Sequence, residues 1–257
     1  MANTVTRTIL TVIACAALCG CEAPRGTQGD PNGTFTIRTN EIMDRCVDAY
    51  SKARTLSANG TFRDYRTENR RVVPIRWDLA RPSKCRLQID MEVAIVIGDH
   101  WWVYDAESGQ YKKRRSFTRT PMETAGYLLA RGVSFLTPAV FARGDAAFGK
   151  SRTRGYVDWK LLGVAWLHER PCYVVTKSMA VKSTTSVLRV WIDQDSYLVR
   201  GWDVVEPGDD GREQTVLACM YHDLVVNGVQ GGATYELTAP AALGKAPMAR
   251  RESAGKE

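Results

Sequence analysis

Histidine is scarce in this chain. His100, His168 and His222 are the only three, and they stand far apart in sequence, without the spacing that holds a transition metal. No HExxH, GxSxG or CxxC pattern occurs, and no carboxylate pair stands out as an acid and a base. These absences leave no argument for a metal site, a nucleophilic hydrolase or a redox dithiol, so neither an enzyme nor a cofactor is expected. Long apolar runs are missing too: the stretch Ile9 to Leu18 falls short of the roughly 20 residues that cross a bilayer. No internal repeat is present. One motif tempts, since Gly144–Ser151 spells the phosphate-loop pattern GxxxxGK[ST]. A phosphate loop needs a buried strand before it and a helix after it. Here Pro138 interrupts what precedes, and Gly155 with an alternating pattern follows, so no nucleotide is expected.

The N-terminus carries the strongest positive signal. Arg7 is the only charge before position 21, and an apolar segment follows it at once. That segment has the length of a secretory h-region, about 7–15 residues. It ends in Leu18-Cys19-Gly20-Cys21, which resembles the lipobox of bacterial lipoproteins, whose cysteine thiol accepts a diacylglycerol before cleavage. The resemblance implies a signal peptide over residues 1–20, lipidation at Cys21 and a place in the cell envelope, anchored to a membrane and facing the periplasm or exterior. Two acyl chains hold a protein where one is marginal. Residues 21–38, rich in Gly, Pro, Thr and Asn, then read as a flexible tether. The +7 formal charge suits an anionic lipid surface or simply a solvated basic face. Export argues against nucleic acid as a partner. Beyond Cys21 the mature chain has Cys46, Cys85, Cys172 and Cys219, which allow three disulfide pairings or four buried thiols.

Periodicity organises the rest. A helix is expected from Thr39 or Asn40, either of which can cap it, with Ile42, Cys46, Ala49 and Ala53 at helical spacing and Met43 and Tyr50 beside them. After Leu56 the period becomes two. Ile75, Trp77 and Leu79, then Cys85, Leu87, Ile89 and Met91, flank a turn at Ala80–Ser83; Val93–Asp105 and Gln110–Phe117 flank another at Asp105–Gly109. Further strands are expected at 156–166, 171–181, 184–193, 197–205, 213–226 and 233–238. Between Pro121 and Arg143 the clustered Met122, Leu128, Leu129, Phe135, Leu136, Val140 and Phe141 indicate one or two short helices. The domain so defined runs over 39–240, with a disordered tail at 241–257. The fold class is α+β, mostly β: one large curved antiparallel sheet covered on one face by helices. Most of the seven tryptophans, Trp77, Trp101, Trp102, Trp159, Trp166, Trp191 and Trp202, fall in these strands. They form either ordinary core or the wall of an apolar hollow. The cluster Lys112-Lys113-Arg114-Arg115 reads as a solvated strand end or a contact with anionic headgroups.

Several segments together resemble the LolA/LolB superfamily of outer-membrane lipoprotein-sorting proteins. They are Tyr50–Ala58 followed by Gly60-Thr61-Phe62; Trp77–Leu79 with Arg81-Pro82 and Arg86-Leu87; Ile95–Asp99 with Trp102–Asp105; Pro171–Val175; and Trp191–Asp193 through Tyr197–Val199. The likeness spans roughly residues 40–240 and also extends to mycobacterial lipid-carrier lipoproteins and RseB-type regulators. It implies an unclosed β half-barrel with helices over its concave face, and acyl chains of lipids or lipoproteins as the partner. The cavity residues it implies are Trp77, Leu87, Ile89, Trp102, Leu128, Leu129 and Phe135, with Arg81 as a lid contact. An RseB-like envelope sensor or interaction module without transport is the alternative. The sequence departs from the family at Asp99-His100, where Asp-Gly is usual, and over 121–143, which shows no clear lid pattern. Cys21→Ala is expected to abolish metabolic lipid labelling and membrane retention; a variant still labelled with lipid would refute lipidation at that residue.

Overall fold

The computed structural model describes residues 37–66, 72–114, 136–181 and 184–243. Helix α1, Thr39–Lys52, forms because Ile42, Met43, Cys46 and Tyr50 fall on one side of it, and all four are buried. Its wet side is held by Glu41 and Arg45 one turn apart, 2.5 Å between charges. Neither expected cap closes its N-terminus, for the capping position is Arg38 and its side chain makes no cap. Thr39 and Asn40 turn outward instead, accepting the backbone N–H groups of Leu161 at 3.0 Å and Tyr156 at 3.2 Å. Their oxygens serve a distant strand and the residues leading into it, which fixes where the helix begins on the sheet.

Among the described residues, eleven antiparallel strands make one open sheet. In chain order they are β1 Thr55–Asp64, β2 Val72–Ala80, β3 Lys84–Ile89, β4 Glu92–Ile97, β5 His100–Asp105, β6 Gln110–Arg114, β7 Trp159–Leu167, β8 Arg170–Val181, β9 Thr184–Asp193, β10 Val199–Pro207 and β11 Glu213–Val226. Two meanders, β1 to β6 and β7 to β11, are joined where β1 pairs with β11, so β6 and β7 are the two edges and the sheet does not close. Eleven twisted strands do not stay flat, and a sheet of this width curls. Between β6 and β7 come helix α2, Leu136–Arg143, and the single turn α3, Asp145–Phe148.

Two expected strands differ. The run Val93–Asp105 is a hairpin of β4 and β5 folded at Gly98-Asp99, where Gly98 takes a positive φ of 62°. The segment expected as a strand at 233–238 contains a 3-10 turn, Gly232–Tyr235, and lies across the sheet's outer face. There Gln230 Nε2 donates to the Leu79 carbonyl at 3.1 Å, Tyr111 Oη to the Thr238 carbonyl at 3.0 Å and Gln88 Nε2 to the Ala241 carbonyl at 2.7 Å. Outward-facing donors on β3 and β6 thus take up carbonyls that no neighbouring strand could reach. Cys46, Cys85, Cys172 and Cys219 are all free and buried, and burial pushes the Cys172 thiol up to about 12.

The junction of the meanders needs a glycine. The β1–β11 register shifts between Asn59 and Gly60, and a Cβ on Gly60 would sit inside the Met220 carbonyl group. Gly60→Ala is expected to lower the unfolding free energy by about 1–3 kcal/mol, read by denaturant titration. An unchanged midpoint would show that the bulge yields freely.

Candidate functional site

Antiparallel partners directly across a ladder share a face, which sorts the sheet residues. Trp77 stands opposite Leu87, Leu87 opposite Ala94, and Ala94 opposite Val103. Ile75 stands opposite Ile89, and Leu79 opposite Cys85. All of these join the large apolar cluster that also holds Ile42, Met43, Cys46 and Tyr50 of α1, Leu136, Val140 and Phe141 of α2, and Phe148 of α3. This is the covered face. A smaller cluster of Ala165, Leu167, Cys172, Val174 and Trp191 lies on the outer face.

Of the expected lining residues, Trp77, Leu87 and Ile89 come together on the covered face and are buried. Trp102 does not join them. It pairs with Ile95 and Lys113, and with His100 and the Lys113 ammonium against its ring it belongs to the outer face. The cause is the two-residue turn at Gly98-Asp99. Even-numbered residues of β4, Ala94 and Val96, face the helices, whereas after the turn odd-numbered ones do, so Trp101 takes the place expected for Trp102. Leu128, Leu129, Phe135 and Cys21 lie outside the described residues.

Arg81 occupies the corner between β2 and β3, on the side where both helices end. Its Nε donates to the Ala53 carbonyl at 3.0 Å, and its Nη2 donates to the carbonyls of Tyr50 at 3.1 Å and Phe141 at 3.0 Å. The guanidinium carbon also lies 4.6 Å from the centre of the Phe141 ring. The last carbonyls of a helix have no partner within it and carry the negative end of the helix dipole. One planar fork meets this need for α1 and α2 together, which a lysine's point charge cannot do.

Sequence reasoning passed over a group of hydroxyls beneath the helices. Thr137 of α2 donates to the Tyr221 phenol at 3.4 Å, and Tyr50 of α1 accepts the Val199 N–H at 3.2 Å. Trp77 meets Tyr221 edge to face, ring centres 5.1 Å apart. Burial drives both phenols far above their ordinary range, so they stay protonated. Tyr50 was visible as part of an apolar helix face, but nothing in the alternation of β11 marks Tyr221 as its neighbour.

The other sequence features find ordinary work. In Gly144–Ser151 a helical turn occupies the middle of the would-be phosphate loop, and Lys150 pairs with Asp44 at 2.5 Å and with Asp145 at 3.6 Å. Lys112 pairs with Asp105. His168 and His222, distant in sequence, meet edge to face with ring centres 4.8 Å apart, yet no group of three histidine, cysteine or carboxylate side chains that could hold a metal ion exists among the described residues. No helix among them is long and apolar enough to cross a membrane.

An open antiparallel sheet with a helical cover over an apolar face defines the architecture. The chain is similar to the crystal structure of MucB, with 12% identity and a TM-score of 0.41 over 77% of this chain and 62% of that one, so it spans less than two thirds of that structure. It is also similar to a LolA superfamily protein from Nitrosomonas europaea, with 11% identity and a TM-score of 0.32 over 76% of this chain and 96% of that one. A third is the Mycobacterium tuberculosis lipoprotein LppX, with 9% identity and a TM-score of 0.41 over 74% of this chain and 96% of that one. No protein-family model matches the chain, and no curated protein matches it. At such identities and TM-scores these likenesses carry no argument, and ligand and role rest on this chain's own residues.

Arg81→Ala is expected to lower stability by on the order of 1–2 kcal/mol, with hydrogen-exchange protection lost first in α2 and the last turn of α1. Arg81→Lys should recover little of it. Equal protection in all three proteins would show that the clasp holds nothing.

Proposed function

We propose that the chain is a membrane-tethered, non-enzymatic protein that takes acyl chains of lipids or lipoproteins between the covered face of its sheet and its helices, serving lipid or lipoprotein transport or sorting in the cell envelope. The observation that carries this is the unequal attachment of the two layers. Each strand is bound to its neighbours by a ladder of backbone hydrogen bonds. The cover is held by side-chain packing and by a few polar ties, of which Arg81 is the one that grips both helices at their ends. Such a cover can part from the sheet without breaking a strand pair. What it would uncover is a wall of Trp77, Leu79, Leu87, Ile89 and Trp101, with Leu128, Leu129 and Phe135 proposed to complete the lining.

Apolar attraction is non-directional and scales with area, about 25 cal/mol per Å², so a flexible hydrocarbon chain suits such a wall better than a ligand that needs matched polar contacts. A lipid anchor at Cys21 followed by a tether would keep the hollow beside the bilayer that supplies the chains. Titration of the protein with a pyrene-labelled glycerolipid is expected to saturate at one lipid per chain. Lipid extraction of protein purified from its own envelope should release acyl lipid beyond the anchor. Absence of both saturable binding and extracted lipid would remove the basis for a carrier.

A further inference from the structure

The acyl-chain reading makes no use of the two histidines that the fold brings together. His168 sits in the turn between β7 and β8, and His222 lies in β11. Both are exposed, and their rings meet edge to face with centres 4.8 Å apart. The backbone prepares this meeting from both sides. His168 and Glu169 take positive φ values of 47° and 62°, as the central pair of a two-residue hairpin turn does. In β11 the register against β1 shifts, with Asn59 opposite Asp223 and Gly60 opposite Tyr221, so His222 is the extra residue of the bulge. Bulges re-aim side chains and are over-represented beside functional sites. A thioether stands next to the pair. Met220 is two residues from His222 and packs against the outer-face cluster that includes Leu167, the neighbour of His168. Across the ladders Met220 faces Gly201, and Gly201 faces Trp191. A Cβ on Gly201 would come 2.5 Å from the Met220 Sδ. The sulphur therefore leans over β10, toward the side from which the β7–β8 turn arrives, and Met220 is only half-buried.

We propose that His168, His222 and Met220 bind one copper(I) ion through two imidazole nitrogens and a thioether sulphur. The site goes beyond the acyl-chain reading and stands whether or not that reading does. With metal–nitrogen bonds of about 2 Å, two imidazoles on one ion have ring centres about 5 Å apart, close to the spacing already present between His168 and His222. The ring pair thus needs little more than rotation of each side chain to turn a nitrogen toward a shared ion. Thioether sulphur selects copper(I) among the biological metals, and imidazole suits copper as well. Zinc sites instead draw on thiolate, imidazole and carboxylate, closing with four ligands where the role is structural. The carboxylate that acts on His222 is that of Asp223, and its charge favours a cation close by.

The test titrates the full chain, its accessible thiols first blocked with N-ethylmaleimide, into the coloured copper(I)–bicinchoninate complex without oxygen. One copper(I) per chain is expected to leave the dye. His168→Asn, which suits the left-handed backbone of that turn, His222→Gln and Met220→Leu should each weaken the site. The loss should be at least the roughly 10- to 100-fold that removing a mere supporting partner costs a metal site, with circular dichroism unchanged. Zinc(II), followed with a zinc-responsive dye, should bind more weakly than copper(I) and be indifferent to Met220→Leu. Copper(I) that stays with the dye, or that all three variants withdraw as well as the parent does, overturns the site. Zinc held as tightly as copper, with Met220→Leu silent toward both, would reveal a bare imidazole pair and overturn it equally.

Discussion

The pairing of β1 with β11 is the constraint on which the molecule depends. Each meander alone is a row of hairpins whose strands follow one another in sequence, and each needs only short turns. Joining them requires the first strand to meet the last, with Phe62 opposite Cys219 and Leu56 opposite Val226. Without that ladder there would be two narrow sheets, each with an apolar face too small for a helix to cover. With it, α1 runs from contacts with Leu161 and Tyr156 at the β7 edge to the β2–β3 corner and packs on both halves. Gly60 lets the two backbones approach at the bulge, so the most long-range contact of the fold turns on the absence of one methyl group.

The cover inherits its position from that sheet. α1 is pinned at its start by Thr39 and Asn40 and at its end by Arg81, while α2 touches the same arginine through Phe141. Polar ties at the rim thus join the buried Tyr50–Val199 and Thr137–Tyr221 bonds within the apolar packing. Ties at a rim are wet and individually weak, whereas the packed middle is strong only while no other apolar group is offered in exchange.

Much of this was legible in the residues. The two-residue alternation from Ile75 to Met91 placed the β2–β3 hairpin, and the helical spacing from Ile42 to Ala53 placed α1. Trp77, Leu87 and Ile89 could be assigned to one face because each hairpin partner lies across a short turn. Trp102 failed for the complementary reason: a turn at Gly98-Asp99 inside an apolar run reverses which parity faces inward, and continuous hydrophobicity hides it. Thr39 and Asn40 looked like caps because caps are local, but their true partners lie more than a hundred residues away. Tyr221 and Thr137 were silent, since a hydroxyl meeting across layers leaves no spacing to read.

The energetic question for such a protein is why a ligand should displace a cover that already packs well. Burying a methylene is worth about 0.8 kcal/mol whichever molecule supplies the opposing surface, so replacing the side chains of Leu136, Val140 and Phe141 by an acyl chain changes the apolar term little. The difference must come from elsewhere. Arg81 loses its hold on Phe141 when α2 moves, but its fork is solvent-exposed and water accepts the loss. On the other side of the balance, buried Trp77 and Trp101 N–H groups that met no acceptor among the described residues can find one. On the carrier reading, the apolar part of such an exchange would be nearly neutral, and the polar groups beside the layer would tip it.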